Sequence, residues 1–195
     1  VIMKRFRIPS KVVLLGESGV GKSSTIQTLK NYHETGMAMY DISFISSTVG
    51  IDFVSLQKNQ ISINVWDTAG SERFDSISKC FMRGANICIL AFDSETTLHK
   101  CQLWYEKLTK VTDNCVVLLL RTKIDQDRPI LQKNIDNIVN IVNAQKVVSV
   151  SCLTGVGISE LLSEIFQLVI EQEQLETGVV KIQDKSKLGC KICCV

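Results

Sequence analysis

Eight residues near the start of the chain, Gly16-Glu17-Ser18-Gly19-Val20-Gly21-Lys22-Ser23, have the spacing G-x-x-x-x-G-K-S of a loop that grips phosphate groups. The chemistry needs these residue types. Glycines let the backbone fold around an anion and turn its N–H groups inward. A helix beginning there adds partial positive charge where phosphates sit. The Lys22 ammonium can reach the β- and γ-phosphates, and the Ser23 hydroxyl can bind Mg²⁺. Ser24, next in the chain, is counted with the loop as a ligand-contacting residue. The flanks agree: Val12-Val13-Leu14-Leu15 reads as a buried strand leading in, and Ile26 and Leu29 as a helical face leading out. The alternative is a Gly-rich turn that holds nothing, and the strand–loop–helix setting argues against it.

The elements that must position this loop alternate between strand and helix patterns. That alternation predicts an α/β fold, a mostly parallel sheet with helices on both faces. Residues 11–15 read as the first strand, Ser24 to about His33 as a helix, and Glu34 to Thr48 as a long loop. Asp52–Leu56 and Ile61–Trp66 read as strands joined by the polar turn Lys58-Asn59-Gln60. Ile87–Phe92, Val116–Leu120 and Lys146–Val150 read as three further strands. Leu98, Cys101, Tyr105, Leu108 and Val111 give one helical face, and Leu131, Ile135, Ile138, Val139 and Val142 give another. Ile158, Leu161, Leu162, Ile165 and Val169 mark a long last helix. The predicted organisation is an extension over 1–10, one domain over 11–175, and a polar, disordered tail over 176–195.

Composition narrows the classes. A length of 195 residues with 45% apolar content suits one domain with a sizeable core. The net charge of +2 gives no basis for nucleic-acid binding. No apolar run has the length that spans a bilayer. Of eight cysteines, Cys80, Cys88, Cys101, Cys115 and Cys152 are read as small core residues in a reduced compartment. Cys190, Cys193 and Cys194 crowd into the last six residues, which is not a core pattern.

In open α/β sheets, ligands bind beyond the carboxyl ends of the strands. After Ile61–Trp66 comes Asp67-Thr68-Ala69-Gly70, where a carboxylate can hold Mg²⁺ and the Gly70 N–H is open to a γ-phosphate. After Val116–Leu120 comes Arg121-Thr122-Lys123-Ile124-Asp125. The Asp125 carboxylate can accept two hydrogen bonds from guanine N1–H and N2–H₂. Adenine offers no such pair, and an unpaired buried carboxylate rejects it. After Lys146–Val150 comes Ser151-Cys152-Leu153, placed to offer backbone N–H groups to the base. Each of the last two signals is weak alone; in this order behind a phosphate loop they are strong together.

With these motifs the chain resembles the Ras-like small GTPases of the P-loop NTPase class, and among them the Rab family. Val49-Gly50-Ile51-Asp52-Phe53 is similar to the segment after the first Rab switch. Trp66-Asp67-Thr68-Ala69-Gly70, Glu72-Arg73-Phe74 and Phe81-Met82-Arg83-Gly84-Ala85 resemble the second. The resemblance implies six strands, the second antiparallel to the rest, with five helices. It implies GTP or GDP with Mg²⁺ as ligands, and Thr48 as a ligand of Mg²⁺ beside Ser23 and Asp67. It implies GTP hydrolysis, with Lys22, Gly70 and Ser71 as the catalytic positions. Phe53, Trp66 and Phe81 are implied as an aromatic surface read by effectors, with ordinary core packing as the equal alternative. The implied setting is vesicle transport, in the cytosol and on the cytoplasmic face of intracellular membranes. The implied partners are an exchange factor, a GTPase-activating protein, a prenylation escort and a chaperone that extracts the GDP form, all acting on a monomer.

Three departures from the family pattern carry predictions. Ser71 stands where most relatives have the Gln that orients the attacking water, which predicts slow intrinsic hydrolysis. Thr122 replaces the Asn of N-K-x-D, which predicts weaker and faster-exchanging nucleotide with guanine preference kept. A small group of atypical Rabs has this same pairing. The first switch is long, with Lys22 and Thr48 separated by 26 positions, and Tyr40 or Phe44 is the candidate to stack on the base. The tail Ile192-Cys193-Cys194-Val195 is not C-a-a-X; paired cysteines beside the terminus resemble a doubly prenylated end, and two lipids give stable anchoring where one does not. Lys181, Lys185, Lys187 and Lys191 add attraction to anionic lipid, and Cys190 is either palmitoylated or idle. A metal site at Cys190-x-x-Cys193 lacks a second pair of ligands. Two readings of function remain, a membrane-anchored GTP switch and a GTP-loaded scaffold with little hydrolysis, possible in autophagy. A P-loop kinase or ATPase lacks a substrate domain and does not fit Asp125.

Overall fold

The fold is described for residues 8–38, 51–68 and 80–176 in a computed structural model. In chain order the elements are β1 (Ser10–Leu15), α1 (Lys22–Thr35), β2 (Ile51–Lys58), β3 (Ile61–Thr68), β4 (Ile87–Phe92), α2 (Glu95–Thr109), β5 (Val116–Arg121), α3 (Gln132–Val142), β6 (Ala144–Ser149) and α4 (Ile158–Glu176). The six strands form one sheet in the order β2-β3-β1-β4-β5-β6. β2 runs antiparallel to β3, and every other pairing is parallel. The fold class and the direction of the second strand are therefore as expected.

Strand periodicity decides the layers. Alternate residues of a strand face opposite sides of a sheet. In β1, Val12 and Leu14 face one core with Ile26 and Leu29 of α1 and Leu161 and Ile165 of α4. Val13 and Leu15 face the other, with Leu98 and Trp104 of α2 and Ile138 of α3. Both faces are covered, so β4 is buried throughout and reads as an unbroken apolar run. The first residues past β1, β4 and β5 then lie at one rim, where ligands bind in such sheets.

Several boundaries differ from the sequence reading, each for a local reason. α1 begins at Lys22, directly after Gly21 at φ 96°, and no side-chain cap marks the start. β2 extends to Lys58, and the hairpin turn shrinks to Asn59-Gln60, with Asn59 at φ 57°. β6 starts at Ala144, immediately after Asn143 ends α3 at φ 50°, and Val150 lies past the strand. On α2 the buried positions are Leu98, Cys101, Trp104 and Leu108; Tyr105 is half-buried and Val111 falls beyond the helix. Leu131 is 58% exposed at the start of α3 and is not part of its buried face. Ile158, Leu161, Leu162, Ile165 and Val169 are all buried, as expected of the last helix. Of the five implied helices, four are described in full, and residues 80–82 are helical ahead of β4.

The cysteine reading holds in part. Cys88, Cys101 and Cys152 are buried and Cys115 is half-buried, but Cys80 is exposed, because Met82 of the same turn takes the core position. Burial drives the Cys88 thiol well above its usual range and those of Cys101 and Cys115 up to about 12, so these thiols stay protonated and inert. Among the described residues no helix is long and apolar enough to cross a membrane.

Candidate functional site

The phosphate loop leaves the sheet between β1 and β4. Gly16 sits at φ +146°, and a Cβ there would lie 2.4 Å from the Ala91 carbonyl oxygen of β4. Only glycine passes this point. The loop closes on Gly21, and the Gly21 carbonyl accepts the Thr25 N–H at 2.9 Å and the Thr25 hydroxyl at 2.9 Å. Lys22, 5% exposed, curls back over the loop and donates to the Gly16 carbonyl at 2.9 Å and the Glu17 carbonyl at 2.8 Å. Burial brings its ammonium down to about 8, against the opposing charges of Asp67 and Glu17.

The loop is held from behind by a residue that sequence reasoning missed. The Trp104 indole N–H of α2 donates to Glu17 Oε1 at 3.1 Å. Trp104 is 5% exposed. Eighty-seven positions separate the pair, and no local pattern marks it.

Residues just past β5 also reach the loop. Thr122, 2% exposed, places its hydroxyl 2.5 Å from the Val20 carbonyl and 3.2 Å from the Phe92 carbonyl. Lys123, at φ 55°, donates from Nζ to the Gly19 carbonyl at 2.5 Å and to Asp93 Oδ2 at 2.8 Å. Asp125 accepts from the Ser151 hydroxyl at 2.5 Å, and that oxygen in turn accepts the Thr154 N–H at 3.1 Å. The Asp125 carboxylate is thereby pinned by the loop after β6. Of the other members of that loop, Cys152 is buried with Sγ 3.6 Å from the Thr25 hydroxyl, and Leu153 is 57% exposed.

Asp67 is 3% exposed and pairs in register with Leu14, one residue before the end of β1. Ser23 lies in the first turn of α1. Ser18 and Gly19 are exposed at the rim, Glu17 and Ser24 are partly buried, and Ser24 lends its carbonyl to the Thr28 hydroxyl at 2.8 Å. A buried carboxylate with a hydroxyl is an all-oxygen donor set, which suits Mg²⁺ rather than a softer ion. Thr48, Gly70, Ser71, Tyr40, Phe44, Cys190, Cys193 and Cys194 lie outside the described residues.

The three aromatics stack in a row: Phe53 to Trp66 at 5.0 Å between ring centres, then Trp66 to Phe81 at 5.5 Å. Phe53 is 51% exposed, whereas Trp66 and Phe81 are half-buried and Trp66 packs against the core on the α2 side, so the row runs from the core edge out to the surface.

A family model described as "Ras of Complex, Roc, domain of DAPkinase" matches residues 11–125. The chain is 37% identical over 105 residues to the Ras-related protein Rab-7B of Dictyostelium discoideum, covering 53% of this chain and 49% of that one. It is 30% identical over 193 residues to the Ras-related protein Rab-36 of Mus musculus, covering 92% and 69%. It is 33% identical over 135 residues to Rab-18-B of Danio rerio, covering 64% and 61%. The chain thus spans about half the length of the first of these relatives and about two thirds of the others. The sheet order, the phosphate loop held by Lys22 and a match that runs through both converge on one assignment: the chain belongs to the Ras superfamily and is a Rab-type small GTPase.

Proposed function

We propose that this protein is a guanine-nucleotide switch that binds GTP and GDP, hydrolyses GTP slowly and acts in trafficking at intracellular membranes. The observation that supports it most is the convergence of Thr122 and Lys123 on the carbonyls of Val20 and Gly19, which joins base recognition to phosphate binding in one pocket. Asp125 selects guanine through its carboxylate, held by Ser151. Lys22 neutralises phosphate charge from a buried position. Ser23, Thr48 and Asp67 would hold Mg²⁺, which would supply neutralisation of the charge on the nucleotide phosphates. Contacts of a terminal phosphate with Thr48 and Gly70 would favour one arrangement of the two switch segments, and hydrolysis would remove those contacts. The row of Phe53, Trp66 and Phe81, with Phe53 exposed at its end, is the surface an effector reads, and lipids on Cys193 and Cys194 anchor the protein.

Ser71 is shorter than Gln and lacks its carboxamide, so it orients the attacking water poorly. Intrinsic hydrolysis is slower than in the Gln form by roughly 10- to 100-fold, about 1.4–2.8 kcal/mol of barrier. The test has two steps. Nucleotide is first released from purified protein and identified; material without guanine nucleotide, and unable to load it, overturns the reading. Single-turnover hydrolysis is then timed for wild type and Ser71→Gln, and equal rates remove the role of Ser71. The second reading, a GTP-loaded scaffold, is favoured by the same serine. Turnover stimulated by an activating protein that supplies its own Arg and Gln excludes it. Mass spectrometry of protein purified from cells, showing Cys193 and Cys194 unmodified, would remove the anchor.

A further inference from the structure

Asp93 is the first residue past β4, at the rim where the phosphate loop and the guanine motif meet. Its side chain is 8% exposed. Oδ1 accepts from the Thr97 hydroxyl at 3.1 Å. Oδ2 accepts from Lys123 Nζ at 2.8 Å and from Arg128 Nη1 at 2.7 Å. Burial pushes the carboxyl up, but the hydrogen bond and charge of Lys123, the Thr97 bond and the Arg128 charge outweigh it and hold the group below its ordinary value. Asp93 is therefore a fixed anion at neutral pH.

Lys123 links this anion to the phosphate loop, because the same Nζ donates to the Gly19 carbonyl at 2.5 Å. Arg128 is carried to the carboxylate by the short segment after Asp125. Arg121, the last residue of β5, donates to the Arg128 carbonyl at 3.0 Å, and the Arg128 N–H donates to the Gln126 carbonyl at 2.8 Å.

We propose that Asp93 and Arg128 are positioning residues for nucleotide retention: together they hold Lys123 across the Gly19 carbonyl and so lengthen the time a guanine nucleotide stays bound. The inference rests on the guanine-nucleotide reading above. A lysine stem has four rotatable bonds and loses rotamer freedom when pinned. A carboxylate that already has its place fixes that stem without moving to meet it. Thr97 and Arg128 fix the carboxylate from two sides, so Arg128 acts on the nucleotide only through Asp93 and Lys123. Its side chain is 44% exposed, which keeps the effect moderate and sensitive to salt.

The experiment loads the full chain with fluorescent GDP and Mg²⁺ and chases it with unlabelled GDP. Arg128→Ala should release label about 2- to 5-fold faster than wild type, the ratio expected for a half-exposed ion pair. Arg128→Lys should recover most of the loss, and high salt should shrink the difference. Asp93→Asn should release faster still, and the double variant no faster than Asp93→Asn. If Asp93→Asn does not fold, Lys123→Met takes its place, and Arg128→Ala must add nothing to it. Urea unfolding at saturating GDP separates a merely structural role, which would lower the midpoint of Arg128→Ala at an unchanged release rate. Wild-type release by Arg128→Ala, or effects that multiply in the double variant, overturns the inference. A wild type that takes up no GDP removes both this inference and the reading beneath it; a wild type that loads, beside an unresponsive Arg128→Ala, removes this inference alone.

Discussion

Removing one hydroxyl at Thr122 tests the link between the two halves of the pocket. The Phe92 carbonyl, 3.2 Å from that hydroxyl, also accepts the Thr122 N–H at 2.8 Å, so it keeps a partner when the hydroxyl goes. The Val20 carbonyl loses its 2.5 Å bond. Thr122→Val keeps the shape of a side chain that is 2% exposed. The loss of a buried hydrogen bond at constant shape costs about 1–3 kcal/mol. The part felt equally with and without nucleotide lowers unfolding stability. The part felt only when the loop closes on phosphates lowers affinity, with a ceiling of about 5- to 150-fold at 1.4 kcal/mol per decade. Release of labelled GDP and urea unfolding, measured side by side, apportion the two. GTP should still be preferred over ATP, because Asp125 is held by Ser151 and not by Thr122. Thr122→Asn should instead slow release several-fold, because one hydroxyl proton serves the Val20 carbonyl while a carboxamide has two N–H donors and an acceptor. A Val variant that matches wild type in both release and unfolding refutes the reasoning.

Three further outcomes follow from the same contacts. In nucleotide-free protein Lys22 titrates near 8, below its ordinary 10.5, so its burial cost is fully present below pH 8 and stability gains as pH rises from about 8 to about 10.5, where the unfolded chain holds the proton longer. Phosphates favour the charged form, so nucleotide binding should take up more protons at pH 9 than at pH 7; calorimetry in two buffers of different ionisation enthalpy measures this, and no rise sinks the assignment. Trp104→Phe removes the donor to Glu17 while keeping most of the ring burial, and should cost about 1.5–3 kcal/mol in urea unfolding; an unchanged midpoint would show that the 3.1 Å contact adds nothing. Gly16→Ala meets both a left-handed backbone worth about 1–3 kcal/mol and the Ala91 carbonyl, and should lower the melting temperature by several degrees and abolish loading; a variant that loads normally contradicts the close approach.

What the sequence made legible was local. The phosphate loop is eight consecutive residues, and its glycines announce the backbone they adopt. The apolar faces of α3 and α4 repeat at helix spacing. Ile135, Ile138 and Val142 on α3, and Leu161, Ile165 and Val169 on α4, could therefore be assigned to the core before their neighbours were known. Contacts that join distant segments carry no such mark. Thr122 and Val20 are 102 positions apart, and Trp104 and Glu17 are 87 apart. Boundaries failed where a single left-handed residue set them. Gly21 starts α1 and Asn143 ends α3, and in both cases the next element begins at once. Period-2 alternation could not place β6, because its register is set by pairing with β5, across an irregularity between Val117 and Leu118.

The bonds from Thr122 and Lys123 share one direction, and that direction would couple base recognition to phosphate binding on the proposed reading. A trans peptide plane points the carbonyl of one residue and the N–H of the next to opposite sides. Lys123 ties down the Gly19 carbonyl and Thr122 the Val20 carbonyl. Each tie aims the following N–H, that of Val20 and that of Gly21, away from the guanine motif. A loop of this kind binds an anion with its N–H groups, and their value lies in being aimed before the anion arrives. On the proposed reading one short segment would then do two things: Asp125 would read the base, while Thr122 and Lys123, nearer the strand, hold the loop backbone that would meet the phosphates. A change at Thr122 should for this reason weaken GDP more than it weakens guanosine, which has no phosphate to feel the loop.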